Sequence, residues 1–178
     1  SDITVFSFHP VKIVTSGEGG AAALTNCCKL DQKLKLFRSH GITRDKTLME
    51  FPSDDPWYYE QIALGFNYRM TDIHAALGLS QLSRVNEYVR KRQDIANLYD
   101  QEFYNLKLQL PFRNTASKSA LHLYVIQVQQ GDHRSVFQNL REKNIGVSLH
   151  YIPVHTQPYY QKLGFNWGDF PNSEAYYR

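Results

Sequence analysis

The sequence predicts an α/β chain in three parts: the end of an α/β domain, a long linking helix, and a smaller α+β domain. Three observations carry that expectation. Two short β-branched or small-residue runs flank a glycine-rich turn near the start. One long stretch in the middle repeats apolar residues at three-to-four spacing. After residue 118 the order is strand, helix, strand.

Taken in order, Ile3 to Phe8 is an apolar, β-branched and aromatic run closed by Pro10, which predicts a strand. Thr15 to Gly20 is turn-rich, and Ala21 to Thr25 predicts a second strand. Lys29 to Arg38 places Leu30, Leu34 and Phe37 at helical spacing, with Gly41 as its stop. From Ile42 to Gly65 no period holds, and Pro52, Pro56 and Trp57-Tyr58-Tyr59 mark an irregular connection of a length that usually carries function or packs into a partner. Thr71 caps the long helix, with Asp72 in its first turn. Leu82, Val85, Val89, Ile95, Tyr99, Phe103 and Leu106 continue its apolar face, and Pro111 ends it. Beyond lie an expected strand over Leu121–Val128, a helix over His133–Lys143 and a strand over Gly146–His150. Two short helices follow, near Thr156–Leu163 and Asn172–Arg178. We expect residues 1–70 to close a large domain, 71–110 to link, and 111–178 to form most of a small one.

Composition narrows the function classes. The 178 residues are 42% hydrophobic and 21% charged, with a net charge of +3, an ordinary globular balance. Basic residues alternate with acids, as in Arg84 to Arg92 around Glu87, which reads as a solvated helix face and not as a nucleic-acid patch. Nucleic acid is for that reason not an expected partner, and neither is a membrane, because no apolar run reaches the length of a membrane span. Cys27 and Cys28 are adjacent, a placement that opposes disulfide geometry, so a reduced, cytoplasmic protein is the expectation. The chain opens on Ser1 without an initiator methionine, closes inside an apparent helix, and is 13% aromatic; it reads as an excerpt of something longer.

The residues that could carry chemistry begin with Ser7-Phe8-His9-Pro10-Val11-Lys12. A strand delivers a hydroxyl and then, past a proline, a lysine flanked by Val11, Ile13 and Val14. Apolar surroundings strip hydration from an ammonium, lower its pKa and favour the nucleophilic amine, which suits Schiff-base chemistry. From the residues alone the alternative stands, since most lysines face solvent. The glycine-rich turn lacks the spacing of a P-loop or dinucleotide fingerprint. Asn67 could simply hold a positive-φ turn. His9 orients the site or fills space beside Pro10. His150 and His155 lack a metal-ligand pattern, and no metal is expected.

Five ordered blocks, S-F-H-P-V-K, G-E-G-G, L-F-R-S-H-G, G-F-N-Y-R-M-T-D-I and H-Y-I-P-V-H-T-Q-P-Y-Y, together resemble the DegT/DnrJ/EryC1/StrS sugar aminotransferases across nearly the whole chain. The resemblance implies a fold-type-I (aspartate aminotransferase-like) fold and pyridoxal 5'-phosphate (PLP) as cofactor. It implies that Lys12 binds PLP as a Schiff base and moves the proton, that Ser7 lies near the cofactor phosphate, and that Asn67 reaches the phosphate of the neighbouring subunit. A homodimer with composite active sites follows. His150, Tyr151 and His155 fall in a segment bordering the sugar nucleotide. The H-P-V-K, W-Y-Y-E-Q and H-Y-I-P-V-H blocks resemble the branch serving pseudaminic acid biosynthesis, which implies glutamate as donor and C4 of a UDP-linked 4-keto-6-deoxy-N-acetylhexosamine as acceptor. Another nucleotide sugar, such as GDP-4-keto-6-deoxymannose, is the alternative within the family. A related dehydratase group carries histidine in place of the lysine, which Lys12 opposes. The family's pyridine-nitrogen acid, ring-stacking aromatic and further phosphate contacts lie upstream of its lysine, outside this chain. A non-catalytic, self-associating fragment is therefore the alternative of another class.

Overall fold

The structure, a computed structural model, describes residues 1–129 and 132–178. They form two compact units, Ser1–Gln93 and Asp94–Arg178, and the division falls within a helix.

In the first unit, β1 (Thr4–Ser7) pairs antiparallel with β2 (Ala21–Leu24). Thr4 faces Leu24 and Ser7 faces Ala21. The expected strands are therefore present, each trimmed by a residue or two. The Thr25 hydroxyl donates to the Asp2 carbonyl at 2.6 Å and closes the open end of the pair. Helix α1 (Cys28–Arg38) carries Asp31 in its first turn and Lys35 and Arg38 in its last, the arrangement that the helix dipole favours. It ends through His40 and Gly41, both at positive φ, and the Gly41 N–H donates to the Leu36 carbonyl at 2.9 Å. A Cβ on Gly41 would lie 1.8 Å from the Ala63 carbonyl oxygen, so only glycine fits where the chain returns.

The 42–65 connection is more ordered than its sequence suggests. Its ends pair as β3 (Ile42–Thr43) and β4 (Glu60–Gln61). Between them, the Glu60 carboxylate accepts from the N–H groups of Glu50 (2.6 Å) and Phe51 (2.8 Å) and from the Tyr58 hydroxyl (3.0 Å). One carboxylate thus satisfies backbone donors that a loop would otherwise leave to water.

Thr71 caps α2 (Asp72–Leu82) as expected, its hydroxyl accepting from the His74 N–H. The single helix expected to run on from there is instead two. Helix α2 stops at Leu82, and α3 (Val85–Glu102) begins after Ser83-Arg84. At the break the Ser83 hydroxyl donates to the Ser80 carbonyl at 2.9 Å, and Arg84 Nε reaches the same oxygen. Such side-chain bonds compete with the helical ladder, and the apolar spacing conceals them.

In the second unit, β5 (Leu108–Gln109) pairs antiparallel with β6 (Gln127–Val128). The strand expected over Leu121–Val128 is confined to its last two residues. Leu121 sits at φ +48, outside the extended region. Tyr124 is drawn sideways instead: its hydroxyl donates to Asp100 at 2.6 Å, and Arg113 donates to the other oxygen of that carboxylate, also at 2.6 Å. Tyr124 also stands edge-on to Tyr99, 5.1 Å away. Burial, with the Asp100 hydrogen bond, pushes the Tyr124 hydroxyl up to about 12.

Helix α4 (His133–Glu142) is capped by Asp132, which accepts from the Arg134 N–H and the Ser135 hydroxyl. The strand expected over Gly146–His150 does not form. A strand needs a hydrogen-bonded neighbour, and among the described residues none pairs with it. A 3-10 turn (Val154–Thr156), α5 (Pro158–Gln161) and α6 (Pro171–Tyr177) complete the unit. Among the described residues the buried apolar side chains are Val14, Ala96 and Pro153. No helix among them is long and apolar enough to cross a membrane.

Candidate active site

The loop between β1 and β2 is built to hold Lys12. The Phe8 N–H donates to the Gly20 carbonyl at 2.9 Å, and the Ser16 N–H returns to the Phe8 carbonyl at 3.2 Å. Ser16 is fully buried, and its hydroxyl donates to the Gly19 carbonyl. Gly17, Gly19 and Gly20 all adopt positive φ, which L side chains resist. A Cβ on Gly20 would lie 2.4 Å from the Met70 methyl, so Met70 seats directly against this turn.

Within the loop the Lys12 N–H donates to the His9 carbonyl at 2.9 Å. The His9 N–H donates weakly to the Ser7 hydroxyl at 3.4 Å, and His9 Nδ1 accepts from the Val11 N–H at 3.4 Å. His9 therefore braces the turn that joins Ser7 to Lys12. Lys12 is half-buried beside buried Val14. Its amine makes no hydrogen bond or ion pair among the described residues, so nothing competes for it.

Asn67 is placed by a separate device in the same unit. Residues 66–68 lie along the end of α1: Phe66 N–H donates to Phe37 O at 2.7 Å, His40 N–H to Phe66 O at 2.8 Å, and Tyr68 N–H to Arg38 O at 2.9 Å. Ser39 and Asn67 form the bridge between these segments. Phe66 and Tyr68 stack at 4.8 Å. The Asn67 amide is exposed and makes no hydrogen bond among the described residues. Asn67 lies three residues before Met70, whose contact with Gly20 ties this segment to the Lys12 loop.

His150, Tyr151 and His155 lie in the second unit and divide into two kinds. Tyr151 is exposed, and the His150 ring stands edge-on to it at 4.3 Å. Their polar atoms have no partner among the described residues. His155 is turned inward, 8% exposed, and its Nε2 is 2.9 Å from Glu174 Oε1. Glu174, 4% exposed, also accepts from the Gly168 N–H at 2.6 Å. Burial works to raise the Glu174 carboxyl, but the hydrogen bonds from His155 and Gly168 outweigh it and hold the group below the ordinary glutamate range.

Sequence reasoning missed Glu174 and Glu60. Glu174, three residues after Pro171, reads as a favourable first-turn carboxylate. No periodicity links it to a histidine 19 residues earlier.

The DegT/DnrJ/EryC1/StrS aminotransferase family matches the sequence over residues 1–178. The chain belongs to this family. Spore coat polysaccharide biosynthesis protein SpsC of Bacillus subtilis is 39% identical over 99% of the chain and 47% of its own length. The Campylobacter jejuni UDP-4-amino-4,6-dideoxy-N-acetyl-beta-L-altrosamine transaminase is 37% identical over 92% of the chain and 42% of its own length. Among solved structures, Spr1654 of Streptococcus pneumoniae in its PLP form superposes with a TM-score of 0.87 at 28% identity, over 100% of this chain and 45% of that one. The chain thus spans under half the length of these DegT/DnrJ/EryC1/StrS relatives, and its fold is the corresponding part of a fold-type-I aminotransferase.

Proposed function

We propose that this chain is part of a PLP-dependent aminotransferase that moves an amino group from glutamate to C4 of a UDP-linked 4-keto-6-deoxy-N-acetylhexosamine. The observation that carries the reading is Lys12, a half-buried lysine on a glycine-closed loop whose amine has no competing partner among the described residues. In this reading residues 1–70 close the large domain, 71–110 link, and 111–178 belong to the small domain.

The donor set fits PLP. Lys12 offers an unengaged amine, and the Ser7 hydroxyl and Asn67 amide are uncharged donors suited to a phosphate dianion. Bound at Lys12, PLP supplies the electron sink for removing the proton from the carbon that carries nitrogen. The chain's own residues do the rest. Once the substrate's amine has taken its place on the cofactor, Lys12 Nζ would take that proton from one of the two carbons that flank the transferred nitrogen and return it to the other. Ser7 and, across the proposed homodimer, the partner subunit's Asn67 fix the phosphate, so Lys12 addresses one face of the reacting atoms. Tyr151, whose hydroxyl has no partner among the described residues, and His150 border the sugar, and His155 belongs to the same segment. The Campylobacter jejuni relative's name supports the UDP-sugar acceptor.

The substrate assignment is tested by incubating the complete enzyme with each candidate sugar and glutamate and following the amino sugar by mass spectrometry. The UDP-linked N-acetylhexosamine should be aminated, with kcat/KM at least about tenfold above that for GDP-4-keto-6-deoxymannose, a difference of ~1.4 kcal/mol in transition-state binding. Preference for the GDP sugar would overturn the assignment.

The proposed role of Asn67 across a homodimer makes a second prediction. Inactive Lys12→Ala protein mixed with inactive Asn67→Ala protein should recover up to about one quarter of wild-type activity. Random exchange makes half the dimers mixed, and each mixed dimer holds one site with both groups. If subunit exchange is demonstrated and no activity returns, the sites are built within single chains.

A further inference from the structure

We infer that Glu174 is a positioning residue for the His150–Tyr151 segment, acting through His155. The inference rests on the proposed placement of that segment at the sugar nucleotide.

Residues 151–155 alternate sharply in environment. Tyr151, Ile152 and Val154 are exposed, whereas Pro153 and His155 are buried. The segment is knotted at its end by a 3-10 turn: the Thr156 N–H and hydroxyl both donate to the Pro153 carbonyl, at 3.0 and 2.7 Å, and the Gln157 N–H donates to Val154 O at 3.1 Å. Pro153 holds φ at −58 and restricts Ile152 before it. Little slack therefore remains between Tyr151 and His155, and a shift of the imidazole travels to the phenol.

The imidazole is fixed from outside the segment. Glu174 Oε1 lies 2.9 Å from His155 Nε2 and accepts the Gly168 N–H at 2.6 Å. Phe170 lies 4.8 Å from the imidazole, ring centre to ring centre, and Trp167 stands edge-on at 6.4 Å. A further charged group near the pair is Arg178, whose guanidinium is 3.9 Å from Glu174 Oε2. One carboxylate thus ties the 150–156 segment, the turn before α6 and α6 itself to a single point. With water largely excluded, no solvent hydrogen bond replaces it when it is lost. Misplacing a substrate-contacting group by about 1 Å can cost ~10²-fold in rate.

The test separates the two half-reactions of the complete enzyme: amino donor to cofactor, followed by absorbance, and cofactor to sugar. In Glu174→Ala, the rate of the sugar half-reaction should fall about 10²-fold. Calorimetric affinity for the nucleotide sugar should weaken too, while the donor half-reaction and near-UV circular dichroism hold. Glu174→Gln, which keeps an oxygen acceptor in place, should recover most of the loss. His150→Ala and Tyr151→Ala serve as controls. If they impair the sugar half-reaction while both Glu174 variants leave it intact, the positioning role is wrong and the site reading survives. If the two controls have no effect, the site reading itself fails and the inference goes with it. Both half-reactions falling together with the folded fraction, or a Gln variant identical to wild type beside an unfolded Ala variant, would make Glu174 purely structural and overturn the inference.

Discussion

Replacing Lys12 by alanine in the complete enzyme is expected to lower steady-state transamination by about 10³-fold or more, the largest effect of any single substitution in this chain. Two functions leave with one amine. On the proposed reading the covalent link to the cofactor is lost, and so is the base that carries the proton between the two carbons flanking the transferred nitrogen, which is commonly worth ~10²–10⁴-fold by itself. The visible absorbance of the lysine-bound cofactor, and its loss on borohydride reduction, should vanish in the same variant. The loop should survive the change, because its closure runs through backbone groups of Phe8, Ser16 and Gly20 and not through the Lys12 side chain. Turnover near the wild-type rate would remove the central assignment.

How much of this was legible in the sequence follows from what each feature depends on. The β1–β2 pair was legible because Pro10 and the glycine-rich turn bracket two runs of strand composition, all of it local information. The Thr71 cap was legible for the same reason: a hydroxyl before a helical pattern has one economical use. The failures are non-local or competitive. Gly146–His150 has strand composition, but a strand is made by its neighbour, and composition does not supply one. The break at Ser83-Arg84 turns on a hydroxyl and a guanidinium taking the Ser80 carbonyl, a contest that apolar spacing does not register. The two-residue ladder of β3 and β4 is too short to carry a period. Within the site, Lys12, Ser7, Asn67, His150, Tyr151 and His155 gained meaning from the ordered blocks that resemble a family; residue type alone left each with a bland reading. Glu174 was invisible in both ways. Only folding brings its carboxylate to His155.

The 178-residue chain, expressed alone, is expected to self-associate and to bind PLP poorly. Its surface area supplies the reason. A folded monomer of 20.7 kDa exposes about 8,900 Å², and even two independent units of half that mass would together expose about 10,700 Å². The chain exposes 14138 Å², which leaves roughly 3,400 Å² of excess even in the more generous case, as much as a whole obligate interface buries. The excess is apolar in the places that matter. Val5, Phe6 and Leu24 on β1 and β2 are 64%, 50% and 56% exposed, and Ile73 and Leu79 on α2 are 81% and 71% exposed. Helix α2 is apolar around most of its circumference, with Ile73, Ala75, Ala76, Leu77, Leu79 and Leu82, yet buries no residue. Such a helix normally lies inside a protein. In the complete enzyme we expect the remainder of the polypeptide to cover these faces. Without it, they and the unpaired edges of β1 and β2 favour association. Light scattering at micromolar concentration should give a weight-average mass well above 20.7 kDa, rising with concentration, and PLP titration should show weak binding that glutamate does not discharge. A monodisperse monomer that binds PLP tightly and releases it on adding glutamate would show that these 178 residues are self-sufficient, and would end the view of them as one part of a longer enzyme.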